Sequence, residues 1–144
     1  RLGPDPFSIK FNYQYINNFI KNRKKNIKNL IMDQNFVSGI GNIYANEILF
    51  YCYLNPLKNA SKLSKKNIFD LIKFTKKVLN KAIVFGGSTI KDFKKSNGDF
   101  GKFQQNFKVY GKNNISCPRL KCNGVISRIL MLNRSTFFCS NCQK

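Results

Sequence analysis

Four of the chain's five cysteines, Cys117, Cys122, Cys139 and Cys142, are spaced C-x4-C-x16-C-x2-C. A thiolate pair joined by a short turn can aim both sulfurs at one metal ion. A hairpin between the pairs returns the second pair to the same point, so the pattern predicts one tetrahedral four-cysteine zinc site. Two structural disulfides are the competing reading, but the rest of the chain does not have the make-up of a small secreted disulfide scaffold. Cys52 stands apart in a helical stretch and is expected to be an inert buried thiol. Histidine is absent, which removes the usual general base and any Cys–His nucleophilic pair.

Lys and Arg number 26 against 6 Asp and Glu, a net charge of +20, which draws a protein to polyanions and to nucleic acid first. Joint enrichment in Lys, Asn, Ile, Phe and Tyr points to a genome-wide compositional bias, so part of the charge is a solvated lysine surface. That bias does not account for the scarcity of acidic residues. With 144 residues, 42% of them hydrophobic, the chain can build one core plus a small appendage. No apolar run approaches the roughly 18 residues of a membrane span. The start, RLGPDPFSIK, has no apolar signal region, so a reducing cytoplasm is expected. The chain begins at Arg1 rather than Met, which suggests a fragment or a processed product.

The elements that must position the cysteines and cations follow from periodicity. Pro4 and Pro6 disfavour a helix over residues 1–11. Tyr15, Ile16, Phe19 and Ile20 form an apolar stripe that predicts a helix over 12–22. A basic cluster follows, with Lys21, Arg23, Lys24, Lys25 and Lys28, and then a short helix over 27–34. Gly39 and Gly41 separate this from a helix over 43–53, with Asn42 placed to cap it. Helix, glycine turn, helix is a nucleic-acid-binding shape: glycines let the backbone approach a phosphate, and the next helix offers its free N–H groups. An ordinary helical-hairpin turn is the plainer alternative. Ser64 caps a helix over 64–85, whose core side carries Ile68, Leu71, Ile72, Val78, Leu79, Ala82 and Ile83, and which Gly86-Gly87 ends. Its lysines, Lys65, Lys66, Lys73, Lys76, Lys77 and Lys81, are mostly its solvated face. Asn97, Gly98, Asp99 and Gly101 mark a mobile loop within 88–107, and Phe100 and Phe103 are expected to anchor it. Strand-like runs at 125–132 and 135–139 flank Asn133-Arg134 as a tight turn, which makes a β-hairpin clamped at its base by the metal. So small a unit should take most of its stability from that metal.

Five motifs occur in a fixed order: LGPDP at 2–6, M-D-x3-V-x-G-I-G-N-I-Y-A-N-E from Met32 to Glu47, GGSTIKDF at 86–93, VYG at 109–111 and RSTFFCSNCQK at 134–144. Together they resemble the formamidopyrimidine-DNA glycosylase family, whose sister branch is endonuclease VIII; GGSTIKDF and the ending favour the former. The resemblance implies a mainly α helix-two-turn-helix domain over 1–107, followed by a small zinc-bound β-hairpin, a four-cysteine zinc finger, over 108–144. It covers only the family's C-terminal part. The catalytic N-terminal β-sandwich domain, with its nucleophilic proline and adjacent glutamate, is expected to be absent, so no residue here carries the Schiff-base step.

The implied function is DNA binding within a bifunctional DNA glycosylase/AP lyase that excises oxidised purines in base-excision repair, this part alone being inactive in base excision. The implied DNA-contacting residues are Lys24, Lys28, Gly41, Asn42, Lys91, Tyr110 and Arg134. Arg134, at the hairpin tip, is similar to the family's zinc-finger arginine, which grips phosphates around the extruded nucleotide and is given a catalytic role in δ-elimination. Residues 96–103 resemble the loop that closes over a flipped purine. The implied cofactor is one structural zinc ion. The implied partners are double-stranded DNA with a damaged base or abasic site and the missing N-terminal domain, with no membrane, in a monomer of the bacterial cytoplasm associated with the nucleoid. Many members have C-x2-C as the first pair; the longer spacer here still permits tetrahedral binding. The rival reading is a non-enzymatic module, a helix-two-turn-helix plus zinc ribbon that binds RNA or DNA.

Overall fold

Short polar side chains start the helices. Asn12 Oδ1 accepts the Tyr15 N–H at 2.9 Å and opens α1 (Tyr13–Ile20). Asn26 does the same for α2 (Ile27–Ile31), accepting from Asn29 N at 2.8 Å. Ser64 and Asn67 cap α4 (Lys65–Val84) reciprocally, each side chain accepting the other's backbone N–H at 3.0 and 2.9 Å. The computed structural model describes residues 1–84 and 107–144. Lys91, Phe100, Phe103, the Gly86-Gly87 stop and the 96–103 loop therefore lie outside the described residues.

The helix α3 (Asn42–Tyr51) departs from expectation. Its N-cap is Gly41, and Asn42 is its first residue rather than its cap. The Asn42 side chain is used elsewhere, as shown below. Three helices end sooner than periodicity predicts, and the backbone shows why for two of them. Asn22 after α1 and Tyr53 after α3 sit in the left-handed region, at φ 61° and 59°, which stops helical propagation. α2 ends at Ile31 because Asp33 takes over, its carbonyl accepting from Phe36 and Val37 and its Oδ1 from Asn35.

The core joins α1, α2, the 32–41 turn, α3 and α4, with Ile16, Leu30, Phe36, Ile48, Leu49 and Leu71 fully buried. The LGPDP segment brackets the turn: Gly3 N donates to Gln34 O at 2.7 Å, and Ser38 N to Pro4 O at 3.0 Å. Gly39 takes φ 87° there, a conformation that strains any side-chain-bearing residue.

Strand β1 (Ile126–Met131) pairs antiparallel with β2 (Arg134–Cys139), from Ile126 opposite Cys139 to Met131 opposite Arg134. The two-residue turn is Leu132-Asn133, both left-handed at φ 50° and 61°, as a type I′ hairpin requires. The turn thus lies one residue earlier than Asn133-Arg134, and Arg134 is the first strand residue beside the tip. A second small core, of Phe50, Val109, Ile126, Phe137 and two of the cysteines, lies between this hairpin and α3. α3 is therefore buried on two sides, which is why it is apolar nearly all round.

Candidate nucleic-acid interface and metal centre

Three polar residues interrupt the apolar surface of α3, and all three bind the C-terminal unit. Asn42 Nδ2 donates to Ser135 O at 3.0 Å, and its Oδ1 is buried without a hydrogen-bond partner among the described residues. Asn46 is fully buried; its Oδ1 accepts from Phe137 N at 2.6 Å, and its Nδ2 donates to Asn42 O at 2.8 Å. Asn46 thus acts as a strand partner to β2. Glu47, also buried, accepts three successive backbone N–H groups, from Lys108, Val109 and Tyr110, at 2.6, 3.0 and 2.9 Å. Burial pushes its carboxyl up, while those three donors pull it down. Sequence reasoning assigned no role to Asn46 or Glu47. The available signal was three polar positions at i, i+4 and i+5 in an otherwise apolar helix.

Lys28 reaches the same strand from the other side. It is only 1% exposed, its Nζ donating to Thr136 Oγ1 at 2.5 Å and Ser135 O at 3.4 Å. It is not a solvated surface charge. Lys25, Lys28, Asn29, Met32, Met131 and Arg134 line a cleft of about 350 Å³ between α2 and the hairpin tip. Lys25 pairs with Asp33 at 3.0 Å, and the Asn35 N–H and Lys25 hold the Asp33 carboxyl low. Among the described residues Lys28 has only neutral acceptors, and burial and the Arg134 charge push its ammonium down from 10.5 to about 8.

This sets a pH dependence. Between about pH 8 and 10.5 the unfolded chain keeps a proton at this lysine that the folded chain has released, so folded stability rises with pH in that window. The cost of burying the charge is fully present below pH 8. Urea unfolding of wild type and Lys28→Met should show wild type gaining about 2 kcal/mol on the variant between pH 7.5 and 9.5. A gap that does not move with pH would mean that Lys28 titrates normally.

Of the other expected contacts, Arg134 is the one that lines this cleft. Its neighbour Ser135 accepts from Asn42 and Lys28. Gly41 is exposed at the N-terminus of α3, and a side chain there would meet nothing within 4 Å. Tyr110 is half-buried, edge-on to Phe137 of β2 at 4.9 Å. Lys24 is exposed on the α1–α2 connection, and no contact ties it to the cleft.

The four C-terminal cysteines converge as their spacing predicts. Their sulfurs all lie within 4.8 Å of one another, with Cys117–Cys142 at 3.8 Å and Cys122–Cys139 at 3.7 Å. These separations exclude a disulfide bond, whose S–S length is about 2.0 Å, and all five cysteines are free. They match the edge of a tetrahedron of thiolates about 2.3 Å from one ion, close to 3.8 Å. Asn141 Nδ2 and Gly124 N donate to Cys122 at 3.3 and 3.4 Å and hold its thiol down at about 6. A Cβ at Gly124 would lie 2.4 Å from Cys139 Sγ, so only glycine leaves room for the sulfurs. The donor set, its geometry and this cradle fit one metal ion. Cys52 is buried beneath α3, and burial pushes its thiol well up, as expected of an inert cysteine.

A helix–turn–helix joined to a metal-type knuckle, on a chain of net charge +20, defines a nucleic-acid-binding class of protein. The description "Formamidopyrimidine-DNA glycosylase H2TH domain" matches residues 2–94. The chain belongs to the formamidopyrimidine-DNA glycosylase family. The enzyme of that name from Histophilus somni (strain 2336) is 47% identical over 146 aligned positions, covering 100% of this chain and 53% of the relative. That from Haemophilus influenzae (strain 86-028NP) is 45% identical, covering 100% and 52%. Among solved structures, MutM (Fpg) from Thermus thermophilus superposes with a TM-score of 0.83 at 33% identity, over 99% of this chain and 54% of that one. The Lactococcus lactis Fpg complex with abasic-site DNA gives 0.83 at 33%, over 99% and 51%. The chain spans about half the length of the curated relatives it matches. No helix among the described residues is long and apolar enough to cross a membrane.

Proposed function

We propose that the chain is the DNA-binding C-terminal part of a bifunctional DNA glycosylase/AP lyase that excises oxidised purines in base-excision repair. Residues 1–107 form its helix-two-turn-helix part and residues 108–144 its zinc finger. The observation that carries this reading is the cleft between α2 and the hairpin tip. It gathers Lys25, Lys28 and Arg134 within reach of one backbone segment. The Lactococcus lactis relative in complex with abasic-site DNA supports the same class of partner.

Arg134 grips the phosphates beside the extruded nucleotide and assists δ-elimination there; its guanidinium is always charged and donates a fork of hydrogen bonds. Gly41 and Asn42 present the N-terminus of α3 to a neighbouring phosphate. Lys28, held beside Arg134, adds positive charge to the cleft, and Lys24, Lys91 and Tyr110 contact the flanking backbone. Cys117, Cys122, Cys139 and Cys142 hold zinc, which cross-links the hairpin base and keeps β2 in place. Attack on the sugar belongs to the proline and glutamate of an N-terminal β-sandwich in the whole enzyme. That enzyme acts as a monomer in the bacterial cytoplasm, on the nucleoid.

The test is binding of the zinc-loaded chain to a duplex with a stable abasic-site analogue, an undamaged duplex and a structured RNA at one fixed salt concentration. The abasic duplex should bind best. Arg134→Ala should lose about 10- to 100-fold in that affinity while keeping its zinc. Preference for the RNA would sink the repair reading, and loss of zinc from the variant would make Arg134 structural.

A further inference from the structure

The long spacer between the first two cysteines contains Arg119, which the DNA-side reading does not use. Its guanidinium lies between two rings of the α3 C-terminus, 3.9 Å from the Phe50 centroid and 3.6 Å from that of Tyr53. Nη2 donates to the Phe50 carbonyl. Nε donates to Cys142 Sγ at 3.4 Å. Cys122 is served by the neutral donors Asn141 and Gly124. Among the described residues, Arg119 is the cationic side chain that donates to a sulfur of the cluster.

Four thiolates on one divalent ion leave a surplus of negative charge in a half-buried place. A guanidinium is suited to it. Its plane stacks on rings while its edge donates in two directions, which a lysine ammonium cannot do. We propose that Arg119 is a positioning residue of the metal centre: its Nε–H orients the Cys142 sulfur into the cluster, and its stacked guanidinium fastens the knuckle to the end of α3. The inference rests on the four-cysteine zinc reading. It also gives the long spacer a purpose, since Lys121 turns through φ 65° to return the chain to Cys122 after Arg119 has reached back to α3.

The experiment uses the zinc-loaded chain as wild type, Arg119→Met and Arg119→Lys. Zinc transfer to a colorimetric chelator is timed, and the order of cysteine alkylation during release is mapped by mass spectrometry. Arg119→Met should release zinc about 10- to 100-fold faster, with Cys142 alkylated first and Cys122 still protected. Arg119→Lys should fall between, keeping the charge without the fork, and it carries the test if the methionine variant does not fold. Unchanged release would overturn the proposal. Fast release with all four cysteines alkylated together would overturn it too, because that is general loosening. A wild-type chain that binds no zinc would overturn the metal reading itself, and this inference with it.

Discussion

Removing the metal with a strong chelator should unfold residues 108–144 while the helical core stays folded. The C-terminal unit has one two-stranded sheet and a small apolar cluster centred on Phe50, Val109, Ile126 and Phe137. A lone hairpin of this kind is marginal in water. Structural zinc contributes apparent binding energies on the order of 10 kcal/mol to such units, far more than that cluster can replace. The helical core differs: Ile16, Leu30, Phe36, Ile48, Leu49 and Leu71 are fully buried in a cluster that needs nothing from the hairpin. Hydrogen exchange should therefore split. Amides of Ile126–Met131 and Arg134–Cys139 should lose their protection, and those of α4 should keep most of theirs. Affinity for abasic-site DNA should fall at least about 100-fold, because β2 holds Arg134 at the cleft and supplies the acceptors of Lys28 and Asn42. A hairpin still protected in excess chelator would show that packing on α3 suffices and that the metal is dispensable.

The cysteine cluster and the fastening of α3 were unequally legible in the sequence. The cysteine cluster was readable because its information is local: two close pairs and a hairpin between them leave one geometry. Helices α1, α2 and α4 were readable from periodicity, since one face of each meets a single core. Helix ends were less so, because Asn22 and Tyr53 stop helices by backbone conformation, which neither composition nor pattern announces. Lys28 could not be told from Lys21, Lys24 and Lys25 in a lysine-rich stretch. What separates it is contact with Ser135 and Thr136, more than a hundred residues away. The hairpin turn was misplaced by one residue for a similar reason. Asn and Arg suit a turn better than Leu does, but the register that sets Ile126 opposite Cys139 puts the turn at Leu132-Asn133. The α3 motif was read for its glycines. Its polar residues proved to be the fastening between the helices and the four-cysteine knuckle, because a helix buried on two sides has no solvated face for them.

Glu47→Ala should be the most destabilising single substitution in that fastening. The carboxylate accepts three successive N–H groups: Oε1 takes Lys108, and Oε2 takes Val109 and Tyr110. Alanine leaves three donors without their acceptor beside Val109, which is fully buried. Unpaired buried donors cost about 1–3 kcal/mol each, and partial access of water at Lys108 and Tyr110 reduces the sum, so the loss should be about 3–5 kcal/mol. Glu47→Gln separates charge from geometry. Its carbonyl oxygen can keep the Val109 and Tyr110 pair, while its NH2 group faces the Lys108 N–H as donor against donor, for a loss of about 1–2 kcal/mol. The order wild type, Gln, Ala should appear in urea unfolding of the zinc-loaded proteins. Zinc content should be unchanged in the Gln variant, since no cysteine touches Glu47. The two variants should also differ in DNA binding: Gln leaves Tyr110 in place against Phe137, and Ala frees the 108–110 segment and with it one of the proposed phosphate contacts. An alanine variant within about 1 kcal/mol of wild type would mean that water replaces the carboxylate. The link between α3 and the zinc finger would then rest on Asn46 and the second apolar core alone.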